Sequence, residues 1–294
     1  MHRGAIMINP SIFTGKNVIV QGITGTHGAF HTRNMLSYGT NIVAGTSPTK
    51  AGTMFDDTIP VYASIADIQK ERQVDITVIF VPAAHAKAAV LEAIDAKVPL
   101  IVCITEHIPV HDMLQISQHL KGSGSVLIGP NSPGVLTPGK NLLGITPASL
   151  STAGDTALVS RSGTLTYEAM DLLTRRGFGQ KCIIGIGGDM VRGTSFVDCL
   201  ELFEHDPDVA RIVMIGEIGG VDEIEAADYI KTSMTKPVYA YIAGHSAPAG
   251  VQMGHAGAIM GTNTLESASE KTAYLKKSGA HVADSITDLI SHIR

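Results

Sequence analysis

From Asn17 onward the chain alternates short apolar runs with longer segments in which apolar residues recur every three or four positions. The apolar runs are rich in Val and Ile and lack strict polar alternation, so we expect parallel strands that are covered on both faces. The longer segments have the period of amphipathic helices. This alternation predicts doubly wound α/β architecture.

The pattern occurs as two successive series. In the first series the predicted strands are 17–21, 41–44, 76–81, 100–104 and 126–128, and the predicted helices are 27–37, 83–96 and 110–121. In the second series the predicted strands are 156–160, 182–186, 211–216, 238–243 and 280–283, and the predicted helices are 165–176, 195–204, 221–232, 266–278 and 285–292. The halves are similar in architecture but show no sequence repeat.

A Pro- and Gly-rich stretch, which begins near Gly129, interrupts the pattern between the two series and extends to Gly154. Turn-rich stretches of this kind mark domain boundaries, and 294 residues suffice for two domains of ordinary size. We therefore predict a first domain over 1–135, a connection over 136–154 and a second domain over 155–294.

Composition narrows the function classes. The formal net charge of −5 argues against a nucleic-acid partner, and no apolar run approaches the length of a membrane span. Cys103 and Cys182 lie in apolar runs, and the cysteines show no metal-binding spacing, so we expect reduced core thiols in a reducing compartment. The N-terminus has the features of neither a signal peptide nor a convincing transit peptide.

The first predicted strand leads into a turn with glycines at 22, 25 and 28, just before a predicted helix. Glycines here let the backbone approach a phosphate, and the helix start offers free N–H groups. Such glycines can equally serve packing alone. The position after the first strand favours a mononucleotide or dinucleotide site.

The turn after the second strand contains no acid to bind an NAD ribose, but it does contain Lys50 among hydroxyl residues. A lysine there suits a phosphorylated ribose, as in NADP or in the 3′-phosphorylated ADP of coenzyme A, unless it is simply a surface lysine.

Thr105 and Glu106 follow the strand 100–104, where ligands of parallel sheets collect, although Thr105 could instead cap a helix.

In the second half, the turn from Ser160 to Thr164 joins a strand to a helix and is rich in hydroxyls, which favours an anion site. It lacks the G-x-S-x-G spacing of a serine hydrolase. Glu217 ends the third strand of this half among glycines, and His255 lies in the small-residue loop 243–258. We expect this loop to be ordered and packed closely against its surroundings.

In a doubly wound sheet the anion turn, Glu217 and His255 share one edge. A carboxylate beside His255 would fix the imidazole tautomer and raise its basicity. Neutral imidazole is a good nucleophile, so the arrangement suggests a transient phosphohistidine. The alternative is that His255 and Glu217 are solvated side chains on loops.

Six motifs, over 104–106, 129–131, 160–168, 185–189, 215–220 and 254–259, together resemble the α subunit of succinyl-CoA synthetase, the ADP- or GDP-forming succinate–CoA ligase. The resemblance extends from about Asn17 to the C-terminus. It implies an N-terminal Rossmann-like CoA-binding domain followed by a flavodoxin-like ligase domain. The reaction of this family, a step of the citric acid cycle, converts succinate, CoA and NTP reversibly into succinyl-CoA, NDP and phosphate.

The resemblance also implies residue roles. His255 would carry the phosphoryl group, Glu217 would be its carboxylate partner, and Tyr167 would touch the succinyl group or succinate. The implied CoA-binding residues are Thr24, Gly25, Thr26, His27, Lys50, Ile104, Thr105 and Glu106. The implied phosphate-binding residues are Ser160, Ser162, Gly163 and Thr164. The chain departs from the family at Ser132, where relatives often have Cys, and at Met190, where many have Pro.

The resemblance further implies a partner. The sequence has no P-loop, and in the family a β subunit with a nucleotide-grasping domain binds the Mg-nucleotide, in an αβ or α2β2 assembly. We expect no metal ligands on this chain and no nucleic-acid or membrane partner. The expected location is the cytoplasm of a prokaryote or, for a mature eukaryotic chain, the mitochondrial matrix.

Three alternatives stay open from the sequence. The acid substrate could be another short dicarboxylate such as malate, because only a few pocket residues determine which acid binds. An NADP-dependent oxidoreductase would use the glycine turn and Lys50 but would leave His255 and Glu217 unexplained. A CoA-sensing module without catalysis is the third.

Overall fold

The computed structural model describes residues 10–248 and 250–294. The chain forms two compact α/β units. The first comprises Ser11–Thr146 and Val191–Gly193, and the second comprises Pro147–Met190 and Thr194–Arg294 together with Pro10.

The first unit alternates strands and helices as the apolar pattern predicts. Its elements are β1 (Val18–Gln21), α1 (Thr26–Ser37), β2 (Ile42–Thr46), β3 (Met54–Phe55), β4 (Ile59–Tyr62), α2 (Ile65–Gln69), β5 (Ile76–Ile79), α3 (Ala83–Asp95), β6 (Leu100–Cys103), α4 (Val110–Leu120), β7 (Val126–Ile128), β8 (Gly134–Thr137) and β9 (Asn141–Gly144).

The sheet of the first unit has the strand order β3-β4-β2-β1-β5-β6-β7, in which only β3 runs antiparallel to its neighbour. Strands β1, β5 and β6 are buried at every position, as expected of parallel strands covered on both faces. The helices α3 and α4 pack on this sheet through an apolar core that includes Val90, Ile94 and Ile116.

The stretch predicted as a connection, 136–154, contains β9 and part of β8, which form an antiparallel hairpin. Thr40 fixes this hairpin within the first unit, since its hydroxyl accepts from Leu142 N at 3.1 Å and donates to Leu142 O at 2.8 Å. The Asn141 side chain donates to Phe13 O at 2.6 Å. The turn residues in this stretch therefore shape a packed hairpin.

The second unit repeats the alternation. Its elements are β10 (Ala153–Ser160), α5 (Gly163–Arg175), β11 (Gln180–Gly185), α6 (Phe196–His205), β12 (Arg211–Glu217), α7 (Asp222–Ser233), β13 (Val238–Ala243), α8 (Ala268–Lys277), β14 (His281–Val282) and α9 (Ile286–Ser291).

Within the second unit the parallel strands follow the order β14-β13-β12-β10-β11. Serine side chains cap the helices that follow several of the turns: Ser162 caps α5, Ser195 caps α6, Ser267 caps α8 and Ser285 caps α9. An N-cap serine satisfies an otherwise unpaired N–H of the first helical turn and so fixes where each helix begins.

The predicted strands and the longer predicted helices all occur, with ends displaced by a few residues. The sequence analysis missed β3, β4, α2, β8 and β9, which lie in stretches where Pro, Gly and polar residues break up the apolar runs. Cys103, Cys182 and Cys199 are buried, as expected for core cysteines. Among the described residues, no helix combines the length and the apolar character that crossing a membrane requires.

Candidate active site

The carboxyl edge of the first sheet gathers most of the predicted CoA-binding residues. Thr24 and Gly25 follow β1, and Gly25 is the N-cap of α1, so the N–H groups of the first helical turn face the end of the sheet. Helix α1 passes close to this turn, because a Cβ on Gly28 would lie 2.1 Å from Gly22 O. Gly28 therefore serves helix–turn packing.

Side-chain bonds join neighbouring turns at this edge. The Thr24 hydroxyl donates to Ser47 Oγ, which follows β2, at 2.9 Å. The Thr105 hydroxyl donates to Val81 O, which follows β5, at 2.7 Å. Thr105 thus fastens the end of one strand to the next, and the structure does not use it as a helix cap.

Lys50 and Glu106 are exposed at the same edge. Lys50 lies in the turn after β2, where its N–H donates to Ser47 O at 3.1 Å. Glu106 follows β6, and its carboxylate lies 3.7 Å from the exposed His107 ring. Ile104 is half-buried, and His27 is exposed in the first turn of α1. The eight predicted CoA-binding residues thus follow β1, β2 and β6, strands of one parallel sheet.

The carboxyl edge of the second unit contains the other predicted site. Strands β10, β12 and β13 are adjacent and parallel, so the turn after Ser160, the end of β12 at Glu217 and the loop after Ala243 lie at one edge. The sequence prediction that these three segments share an edge is therefore correct.

The loop that holds His255 is packed by glycines. Gly257 N donates to Gly188 O at 2.9 Å, and Met253 N donates to Ala258 O at 2.8 Å. A Cβ on Gly188 would lie 2.3 Å from His255 Cγ, so the imidazole rests directly on this glycine. The loop packs closely at its end, where Gly257 and Ala258 are buried, whereas residues 250–254 are exposed and Ala249 lies outside the described residues.

His255 forms a close pair with Glu217. His255 Nδ1 lies 2.7 Å from Glu217 Oε2, and the side chains are 26% and 8% exposed, respectively. A carboxylate can only accept, so Nδ1 carries the proton. The hydrogen bond to Glu217 raises the pKa of His255, against the effect of partial burial. Among the described residues none bonds Nε2, which is the ring nitrogen left for chemistry.

Arg161 lies beneath this pair and is 2% exposed. Its Nη1 donates to Gly219 O at 3.0 Å and to Glu223 Oε1 at 3.1 Å. Its Nε lies 3.2 Å from Glu217 Oε1, but neither atom has a hydrogen-bond partner, so the contact is an ion pair with poorly aligned geometry. Arg161 supplies positive charge next to the carboxylate that holds the imidazole.

Two fully buried charges complete the cluster. Lys271 on α8 and Glu223 on α7 form an ion pair, and both side chains are 0% exposed. Burial by itself would raise the pKa of Glu223, but Arg161 and Lys271 outweigh it and hold that pKa below its usual value. Glu223 is therefore a carboxylate, kept ionised by two cations.

The predicted phosphate-binding turn divides into two parts. The Ser160 hydroxyl is buried and is fully used by Ser162, whose O accepts it at 2.8 Å and whose N–H donates to it at 3.0 Å. Ser162 Oγ caps α5 by accepting from Leu165 N. Gly163 and Thr164 are the first two residues of α5, where backbone N–H groups have no preceding carbonyl to bind. These two residues offer the anion-binding groups of the turn.

Tyr167 lies one turn further along α5, with its hydroxyl 3.9 Å from the position of a Cβ on Gly163. Burial raises the pKa of Tyr167, so the phenol stays protonated and can donate to an acidic group. Helix α5 thus presents a phenol beside its own N-terminus.

The sequence analysis gave no role to Arg161, Gly188, Glu223 or Lys271. For Lys271 and Glu223, the helical period of the sequence contained a usable signal. Lys271 belongs to the buried face Ala268, Lys271, Thr272 and Leu275, and Glu223 to the buried face Glu223, Ala226, Ala227 and Ile230. A charged residue at a core-facing helix position needs a buried partner of opposite charge. In the part of the chain that the structure describes, no group of three or more His, Cys, Asp or Glu could hold a metal ion.

Comparisons with known proteins identify the families that the chain resembles. A CoA binding domain family matches residues 13–107, and a CoA-ligase family matches residues 159–284. The ADP-forming succinate–CoA ligase subunit alpha of Methanothermobacter thermautotrophicus is 50% identical over 99% of this chain and 98% of its own length. The corresponding subunit of Staphylococcus aureus is 48% identical over 93% of this chain and 90% of its own length.

Among solved structures, ATP citrate lyase from Methanothrix soehngenii in complex with citrate and coenzyme A superposes with a TM-score of 0.86 at 25% identity. The match covers 95% of this chain and 49% of the lyase chain, so this chain spans about half of that protein. A dinucleotide-forming acetyl-coenzyme A synthetase from Ca. Korarchaeum cryptofilum shares the fold, with a TM-score of 0.76 at 24% identity.

Proposed function

This chain belongs to the family of succinate–CoA ligase α subunits, and from that premise we propose that His255 carries the phosphoryl group between the acyl substrate and the nucleotide. The enzyme is an acid–thiol ligase of the ADP-forming type, and coenzyme A is one of its substrates. As an α subunit, the chain works with a β subunit.

The observation that carries the proposal is the pair between His255 Nδ1 and Glu217 Oε2 at 2.7 Å. By accepting from Nδ1, Glu217 leaves the lone pair on Nε2, the nitrogen that would attack phosphorus. Because the Glu217 carboxylate is buried beside Arg161 and bonded to Nδ1, the imidazole would be oriented before the phosphoryl group arrives.

The reaction balances as three transfers in the direction of nucleotide synthesis. Phosphate displaces CoA from succinyl-CoA and gives succinyl phosphate. Nε2 of His255 then attacks phosphorus, succinate leaves with the electron pair of the broken P–O bond, and the Nδ1–H bond to Glu217 stabilises the charged ring. Finally ADP takes the phosphoryl group and restores neutral His255.

The remaining candidate residues would bind either phosphate and succinate or CoA. The N–H groups of Gly163 and Thr164 would bind phosphate oxygens, and the Tyr167 phenol would contact succinate. In the first unit, the N-terminus of α1 and Lys50 would bind the phosphates of CoA. The Mg-nucleotide would be bound by the β subunit, in an αβ or α2β2 assembly.

The proposal is tested by phosphorylation. The chain is co-expressed with its β partner, incubated with Mg²⁺ and γ-labelled ATP, and analysed for acid-labile, base-stable phosphate with peptide mapping. We expect label on His255 that succinate plus CoA discharges. Label that leaves only with malate plus CoA would change the acid substrate, and absence of label with an active partner would reject the phosphohistidine.

A further inference from the structure

Lys271 uses all three of its N–H donors inside the second unit. Its Nζ donates to Glu217 O and to Gly219 O, each at 2.7 Å, and to the Glu223 carboxylate. A lysine that is 0% exposed is costly to bury, and burial lowers its pKa against the effect of Glu223. The burial of such a residue is better explained by the groups that it holds in place than by a contribution to folding stability.

What Lys271 and Glu223 fix is the backbone of Glu217. Glu223 Oε1 accepts from Glu217 N at 3.1 Å, while Lys271 binds Glu217 O. Both peptide groups of the residue that orients His255 are therefore bound by this one ion pair. Arg161 also donates to Glu223 Oε1. The Glu223 carboxylate therefore positions the Arg161 guanidinium group, which faces Glu217.

This support lies where the strand ends. Glu217 is the last residue of β12, and the chain then turns through Gly219 and Gly220, which have φ of +85° and +61°. Gly219 cannot carry a side chain, because a Cβ would lie 2.1 Å from Gly257 O. Gly216 leaves space for Glu223 itself, since a Cβ there would lie 2.6 Å from Glu223 Cγ.

The cluster also balances charge. Among the groups in direct contact, Arg161 and Lys271 contribute two positive charges, and Glu217 and Glu223 contribute two negative charges. Asp222 adds negative charge near both cations. A phosphoryl group on His255 would add negative charge beside Glu217, and an uncompensated second carboxylate would oppose it. The buried pair therefore affects both the position and the electrostatics of the histidine site.

We propose that Lys271 and Glu223 are positioning residues for phosphoryl transfer: their ion pair binds both peptide groups of Glu217 and keeps the charge beneath His255 balanced. The inference rests on the proposed function of His255. It predicts that two buried side chains without access to substrate control the rate and the titration of the histidine.

The test uses three variants of the chain in complex with its β partner: Lys271→Met, Glu223→Gln and the double variant. Histidine NMR gives the pKa of His255, which the charges of Glu217, Arg161 and Asp189 also influence. We expect Lys271→Met to raise that pKa, because a cation is lost, and Glu223→Gln to lower it. The double variant should return it close to the wild-type value.

Rates provide the second readout. We expect each single variant to be phosphorylated on His255 about tenfold more slowly, in the range found for residues that orient a reactive group. The double variant should still be phosphorylated slowly, even though the pKa of His255 returns close to its wild-type value. The reason is that the hydrogen bonds of Lys271 and Glu223 with the Glu217 backbone are missing. Lys276→Met, on the exposed face of α8, serves as the control, and CoA binding should be unchanged throughout.

Unchanged titration and rates in the single variants, or pKa shifts of the same sign, would overturn the inference. If Lys271→Met does not fold, Glu223→Gln and the double variant decide the outcome, since neutral replacement of a buried pair is often tolerated. Absence of label on wild-type His255 would reject the proposed function, whereas normal labelling with unaffected variants would reject only the positioning role.

Discussion

The two candidate sites of this chain are built differently. At the carboxyl edge of the first sheet, the candidate CoA-binding residues lie on short turns and several are exposed, as Lys50 and Glu106 are. At the carboxyl edge of the second unit, His255 pairs with Glu217, which contacts a group of buried charges that includes the solvent-inaccessible Lys271 and Glu223. One edge depends on backbone shape and the other on side-chain charge.

This difference fits the roles that we propose for the two edges. A phosphate-binding edge needs N–H groups and a few mobile cations, which helix starts and surface lysines supply without buried charge. A nucleophilic histidine needs one tautomer, one orientation and a defined charge environment. A buried network provides these, because its members have no alternative partners in water.

The largest expected effect is at His255. His255→Asn should lower turnover at least about a thousandfold, because it removes the proposed nucleophile, while CoA binding is retained. His245→Asn, in the same loop, is the matched control and should keep activity. Steady-state assays and calorimetry with CoA separate the two effects. Loss of CoA binding in His255→Asn would contradict a role of His255 confined to phosphoryl transfer.

Gly188→Ala should have the next largest effect. The added Cβ would lie 2.3 Å from His255 Cγ, so the imidazole must move away from Glu217. Misplacement on this scale costs about a hundredfold in rate. Gly250→Ala, in the His255 loop and with no atom within 4 Å of its Cβ, is the control; its positive φ adds a backbone strain that Gly188→Ala does not have, so the comparison is a stringent one. Equal activity of both variants would show that contact with Gly188 does not hold the ring.

Glu217→Gln should slow phosphorylation roughly 10-fold to 100-fold. The hydrogen bond to Glu217 raises the pKa of His255, so the uncharged amide lowers it and moves the acid limb of the rate profile to lower pH. A raised histidine pKa stabilises the fold fully below about pH 6.5, and this contribution is lost as pH rises through the folded-state pKa. The stability deficit of the variant should therefore be largest in acid, as thermal unfolding at several pH values can test.

The smallest expected effect is at the first edge. Lys50→Ala should weaken CoA binding about tenfold and binding of 3′-dephospho-CoA much less, because one exposed charge-assisted bond is lost. Lys140→Ala, which removes an exposed lysine in the β8–β9 hairpin, should change neither. Equal losses for both ligands would show that Lys50 does not bind the 3′-phosphate.

At the first edge, glycine spacing and strand position indicated a ligand site after β1, β2 and β6, with Gly25, Lys50, Thr105 and Glu106 as candidates. Thr24, Thr26, His27 and Ile104 came only from the family resemblance. In the second unit, His255 and Glu217 were found in the same way, although 38 positions separate them. Arg161 was in view within the motif 160–168, but no local pattern indicated which carboxylates it would meet.

Local physical chemistry in the sequence determined the order of strands and helices, the buried faces of the helices, and the turns that hold candidate chemistry. The helical period also places Lys271 and Glu223 on the core-facing sides of their helices. Only the tertiary structure decided that these two helical residues meet each other beneath Glu217, that Ser160 turns its hydroxyl inward, and that β8 and β9 form a hairpin. The reason is that a period identifies which face of an element is buried, whereas the partner of a buried charge depends on how elements far apart in the chain pack together.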